Sequence, residues 1–139
     1  MTIYKNILLA TDLTDASMEF EKKAKTLAEL HGAKLNILCA LEPIPVPAYG
    51  FIAYANIDSY EEKVTEKLKE TGQALNIPEA NQYFIKDRGK VAIVNLAKEL
   101  DIDLIVVGSH ENVPVFGAVG STAAAVVNYA PCDVIVLRK

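Results

Sequence analysis

Apolar residues in this chain gather in five short runs, at positions 3–10, 35–41, 83–85, 104–107 and 134–137, separated by longer stretches of mixed polarity. Runs of that length, rich in Ile, Leu and Val, predict buried strands. In the intervening stretches the apolar positions change period. Phe20, Ala24, Leu27 and Ala28 recur at helical spacing, as do Tyr60, Val64 and Leu68, then Ile93, Leu96, Ala97 and Leu100. Strands that alternate with amphipathic helices predict an α/β fold: one doubly wound, Rossmann-like parallel sheet with helices on both faces. Gly32 follows His31 where the first helix should stop, with the imidazole well placed for the helix dipole. Thr14, Asp15 and Ser17 stand ahead of that helix and read as its caps.

At 139 residues the chain has the usual size of one domain, and a single domain over 1–139 is expected. A net charge of -4 and a pI near 5.2 argue against binding to nucleic acid or to an anionic membrane, which both need clustered cations. The first apolar run is too short for a signal peptide, and no tract is long enough to span a bilayer, so a cytoplasmic location is expected. The two cysteines, Cys39 and Cys132, lie in or beside strand patterns without a CxxC partner, and read as small buried hydrophobes in a reducing compartment.

The chemistry concentrates in the last third. The run Leu104-Ile-Val-Val107 ends on Gly108, and a loop then leads to Gly120-Ser121-Thr122 at the head of a small-residue helix. A strand that delivers glycines to a helix N-terminus suits a phosphate, because glycine allows close approach and the first helical N–H groups lack intrahelical partners.

The segment Gly108-Ser-His-Glu-Asn-Val-Pro-Val-Phe-Gly-Ala-Val-Gly120-Ser-Thr, followed by Ala130-Pro-Cys-Asp-Val-Ile-Val-Leu-Arg138, resembles the universal stress protein family. Ile7-Leu-Leu-Ala-Thr-Asp12-Leu-Thr-Asp-Ala-Ser17 is similar to that family's first strand and acidic turn, and Gly89 with Leu104–Gly108 fits its middle. The resemblance implies strand order 3-2-1-4-5, with the ligand crevice between strands one and four, where the winding reverses. It implies ATP or AMP as ligand, with Mg where ATP binds. Its candidate nucleotide contacts are Thr11, Asp12, Ala40, Gly108, Ser109, His110, Gly120, Ser121 and Thr122, with Ala40 against the adenine.

Two departures from the family's glycine pattern stand out. The loop is one residue short, and Glu111 occupies the position of the second glycine. A carboxylate about 5 Å from a phosphate charge costs roughly 3 kcal/mol at an effective dielectric of about 20, or about a hundredfold in affinity. From Asp101 to Leu137 the sequence has no Lys or Arg to offset it. The expected protein is therefore a dimeric signalling or protective universal stress protein with weak or absent nucleotide binding, acting through protein partners. An ATP- or AMP-binding switch with slow or no hydrolysis is the alternative, and no catalytic residue or metal ligand is assigned.

Several residues carry two readings. Asp12 either meets the nucleotide or a metal, or holds turn amides as Asx residues do. Ser121 and Thr122 either bind phosphate or cap their helix. His110 reads first as a surface-loop histidine. Lys86, Arg88 and Lys90 form the one compact basic cluster, expected near the sheet edge, away from the cleft, as a solvated loop first and a minor anion site second. Segment 42–54, with three prolines and Tyr49, Phe51 and Tyr54, reads as a loop that folds over the cleft, meets a partner or packs on the sheet end. The apolar run 134–137 is expected at the sheet edge with only Arg138 and Lys139 after it. Uncovered edges invite pairing, so a symmetric homodimer through strand five is expected.

Overall fold

The computed structural model describes residues 3–42, 50–109 and 121–138, of which 50–58 and 121 are described through their backbone alone. The elements run β1 (Asn6–Ala10), α1 (Met18–His31), β2 (Lys34–Ala40), α2 (Gly50–Ala74), β3 (Gln82–Ile85), α3 (Gly89–Glu99), β4 (Leu104–Gly108), α4 (Ser121–Tyr129) and β5 (Asp133–Leu137). The strands form a five-stranded sheet in the order β3-β2-β1-β4-β5, with every neighbouring pair parallel. This is the doubly wound α/β arrangement that the alternating pattern predicts.

Period-two alternation divides the strand residues between two cores. Ile7, Leu9, Ile37, Cys39, Leu104 and Val106 pack with Phe20, Ala24 and Ala28 of α1 and Leu68 of α2. Leu8, Leu38, Ile105 and Val107 face the other way, onto Ala92, Ile93, Leu96 and Ala97 of α3 and Ala123 and Val126 of α4. Burial on both faces explains why the central strands read as unbroken apolar runs rather than alternating ones. Full burial of each Leu or Ile contributes about 1.5–3 kcal/mol, so the helices are held to the sheet chiefly by these side chains.

Three helices close in the same way. Gly32, Asn76 and Asp101 adopt left-handed backbone (φ 62°, 55° and 54°), and the next residue donates its amide back five positions: Ala33 to Ala28, Ile77 to Gly72 and Ile102 to Ala97, at 2.8–3.0 Å. These are Schellman closures, each followed by an apolar side chain that returns the chain to the core. The expectation for Gly32 holds, and Asn76 and Asp101 fill the same role at some steric cost.

Three expectations are corrected. The first strand starts at Asn6 rather than at position 3, because side chains take the preceding amides: Ile3 N–H donates to His31 Nδ1 (3.3 Å), and Lys5 and Asn6 N–H donate to the Asp103 carboxylate (2.8 and 3.0 Å). Segment 42–54 is not loop throughout, since α2 begins at Gly50, past the last proline; positions 43–49 lie outside the described residues. Thr14 and Ser17 make no side-chain bond to the helix amides. Their hydroxyls turn instead to Asp12.

Candidate functional site

Strand register builds a notch at the carboxyl edge of the sheet. Ala10, the last residue of β1, pairs with Leu38 on one side and Val107 on the other, so β2 continues for Cys39 and Ala40, and β4 for Gly108, beyond the end of β1. The recessed end of β1 thus lies between two longer walls, at the point where the winding reverses. In open α/β sheets this is where ligands bind. Thr11 N–H donates to Leu38 O (3.0 Å) and Ser109 N–H to Leu137 O (2.8 Å), which ties the floor of the notch to β2 and its β4 wall to β5.

The polar residues leaving β1 are turned inward. The buried Thr11 hydroxyl donates to the buried Glu21 carboxylate at 2.6 Å and accepts the Leu13 amide at 3.1 Å. Leu13 has left-handed backbone (φ 62°), a strained state for a bulky residue, and the turn uses it to drive that side chain into the α1–α2 core. Asp12 Oδ1 accepts the Thr14 amide (3.1 Å), the Thr14 hydroxyl (2.8 Å) and the Ser17 hydroxyl. The Asx reading of Asp12 is therefore realised. Cys39, one residue before Ala40, stays a thiol: burial pushes its pKa up to about 11, and the Asp12 and Glu21 carboxylates push in the same direction.

Alternation also assigns sides. Ala10 and Ala40 pack on the α3–α4 face with Leu8 and Leu38, whereas Thr11 reaches Glu21 of α1 on the opposite face. A flat ligand against Ala40 would lie on the side where α4 begins. Thr122, in the first turn of α4, is half-buried there, and Ser121 opens the helix. His110 and Gly120, like Glu111, lie outside the described residues. The structure thus brings Thr11, Asp12, Ala40, Gly108 and Ser109 to one end of three adjacent strands.

The basic cluster needs correction. Lys86 follows the edge strand β3 and pairs with Glu61 of α2 at 2.8 Å, as a solvated edge residue would. Gly89, however, stands against α4: a methyl placed on it would lie 3.2 Å from Thr122 Cγ2. The heads of α3 and α4 therefore meet, and the segment 88–90 borders the α4 N-terminus rather than lying away from the cleft. The α3–α4 contact is long-range, and its local signal is a glycine at the first position of a helix, where closeness rather than propensity selects it. Glu21 was also not singled out from sequence. Its signal is an acid embedded between Phe20 and Ala24 in the apolar stripe of α1.

Among the described residues, no three His, Cys, Asp or Glu side chains converge on a metal site, and no helix is long and apolar enough to cross a membrane.

The chain matches the Universal stress protein family over residues 3–138. It is 34% identical to universal stress protein A homolog 1 of Coxiella burnetii, over 95% of this chain and 94% of that protein. Its fold matches that of universal stress protein UspA from Lactobacillus plantarum at a TM-score of 0.79 and 31% identity, covering 97% of this chain and 98% of the other. A universal stress protein solved in complex with cAMP shares the fold at a TM-score of 0.64 and 24% identity, over 96% of each chain. On the sequence match along nearly its whole length, the chain belongs to the universal stress protein family.

Proposed function

We propose that this chain is a dimeric signalling or protective protein of the stress response, formed as a single domain and residing in the cytoplasm, whose cleft holds an adenine nucleotide only weakly. The observation that carries the weak binding is the internal engagement of the β1 turn. Oδ1 of Asp12 accepts three hydrogen bonds from within the turn, so a nucleotide entering the notch competes with existing bonds. Glu111, in a position where the family has glycine, adds like charge to the ligand's phosphates. The nucleotide class is supported by the cAMP complex of the relative and by the notch beside Ala40. In this reading Gly108, Ser109, His110, Gly120, Ser121 and Thr122 line the phosphate side, through backbone and hydroxyl groups.

Efficient turnover of ATP is not expected. Phosphoryl transfer needs developing charge stabilised by cations, usually a metal among them, and segment 101–137 contributes no Lys or Arg. Calorimetry with ATP and AMP in near-physiological salt tests the reading: weak binding, in the micromolar range or above, is expected, and a submicromolar Kd for ATP refutes it. Steady hydrolysis on the order of 1 per second would refute the absence of catalysis.

In this reading the two copies meet at β5. It is one edge of the sheet, its apolar residues Val134, Ile135, Val136 and Leu137 are only half-buried, and α4 beside it exposes Val127 and Tyr129. Pairing two copies about a two-fold axis would satisfy both open backbones. Solution scattering should report a dimer at tens of micromolar, and Ile135→Pro, which removes a backbone donor, should weaken it. An unchanged Ile135→Pro dimer, or a monomeric parent, overturns this arrangement.

A further inference from the structure

The turn that leaves β1 is anchored on the side of the sheet opposite Ala40. Glu21 stands in the first turn of α1, in the apolar stripe between Phe20 and Ala24, and is 5% exposed. Phe20, Ala24 and Ala28 already hold α1 to the sheet by apolar contact, and taking a carboxylate out of water at such a place is costly unless hydrogen bonds compensate it. Packing alone gives no reason for an acid there.

The turn supplies the reason. The Thr11 hydroxyl donates its one proton to the Glu21 carboxylate at 2.6 Å, which fixes the rotor and leaves the Oγ1 lone pairs to accept Leu13 N–H at 3.1 Å. That second bond closes residues 11–13 into a turn around Asp12, and Asp12 Oδ1 closes the next turn by accepting Thr14 N–H at 3.1 Å. Leu13, shared by both turns, is left-handed at φ 62°, a state that a bulky residue holds only where its surroundings enforce it. Strain of this kind gathers at functional sites, and here it lies just past the recessed end of β1, where the winding of the sheet reverses.

We propose that Glu21 is a positioning residue for the cleft: through the Thr11 hydroxyl it enforces the strained turn, and so presents the Asp12 carboxylate to hydrogen-bond donors on the nucleoside half of the ligand. The proposal rests on the nucleotide reading given above, and it concerns the sugar-and-base side of the cleft alone. Glu21 itself touches no ligand. Its influence passes through Thr11 to the backbone of residues 11–13, and from there to Asp12.

Heteronuclear NMR titration with AMP tests this in the parent, Glu21→Met, Glu21→Gln, Asp12→Ala and the double variant Glu21→Met/Asp12→Ala. Met has nearly the length of Glu without its acceptor, whereas Gln keeps an oxygen that can accept the Thr11 hydroxyl. The expected Kd for AMP is about tenfold higher in Glu21→Met and in Asp12→Ala, and within about threefold of the parent in Glu21→Gln. In the double variant it should be no higher than in Asp12→Ala, because Glu21 acts by way of Asp12. The Leu13 amide should lose its protection from exchange in Glu21→Met and keep it in Glu21→Gln. If Glu21→Met does not fold, Thr11→Val/Glu21→Met, which also removes the stranded hydroxyl, replaces it in the same cycle. Equal weakening by the Glu21 change with and without Asp12, unchanged AMP binding in Glu21→Met, or a Leu13 amide still protected there overturns the proposal and leaves the nucleotide reading standing. A parent that does not bind AMP overturns both.

Discussion

Replacing Thr11 by Val exchanges a hydroxyl for a methyl of nearly the same size, which makes it a clean perturbation of the turn below the cleft. Thr11 and Glu21 are 7% and 5% exposed, so water cannot readily replace what is lost. The hydroxyl is a donor to the Glu21 carboxylate at 2.6 Å and the acceptor for the Leu13 amide at 3.1 Å. A hydrogen bond to a charged acceptor is worth about 1.5–3 kcal/mol, and a buried amide left without its acceptor costs about 1 kcal/mol or more. The two share one atom and do not simply add, so about 3 kcal/mol of destabilisation is expected. With a urea slope of about 2 kcal/mol/M for a domain of this size, the unfolding midpoint should fall by about 1.5 M. Thr11→Ser keeps the hydroxyl and should lose under about 1 kcal/mol. The double replacement Thr11→Val/Glu21→Met removes both polar groups, and should recover part of the loss, because an apolar pair avoids the desolvated carboxylate. Equilibrium urea unfolding followed by circular dichroism measures all of these. A Thr11→Val protein within about 0.5 kcal/mol of the parent would refute the claim that this bond holds the turn.

Three further outcomes follow from the same geometry. Asp12→Ala removes the acceptor of the Thr14 amide and of two hydroxyls, and should lower stability by about 1–2 kcal/mol, a fall of about 3–8 °C in melting temperature, with the far-UV spectrum retained. Gly89→Ala should be neutral or destabilising in the parent but stabilising in a Thr122→Ser background, where Cγ2 is gone, and equal effects in both backgrounds would show that α3 and α4 do not meet there. Cys39, with a thiol pKa raised from 9.0 to about 11, favours folding through its neutral form. That contribution is complete below pH 9 and lost as pH rises towards 11, so stability should fall across this window, less so in Cys39→Ala. Native thiol trapping at pH 8 should accordingly reach the half-buried Cys132 before Cys39.

The sequence by itself determined the fold class, the order of elements and the family, because each rests on local periodicity or on motifs continuous along the chain. Five apolar runs and the helical stripes between them leave little choice once both faces of a sheet must be covered. Gly32 likewise announced its left-handed closure, since the preference lies in the residue itself. Other features depended on partners distant in sequence. Nothing near Ile3 foretells that His31 and Asp103 take the amides around it and delay the first strand to Asn6. Thr14 and Ser17 have the composition of caps, yet a better acceptor, Asp12, lies within reach and wins their hydroxyls. Arg88 and Lys90 follow the edge strand β3 closely in sequence and read as edge residues, but Gly89 between them packs against Thr122, so the head of α3 lies beside α4. The strand order, with β1 between β2 and β4, makes neighbours of Ala40 and Gly108 on either side of Thr11. Periodicity specifies which face a residue presents, whereas hydrogen-bond partners and charge neighbours are chosen only when the packed helices fix what lies within a few ångströms.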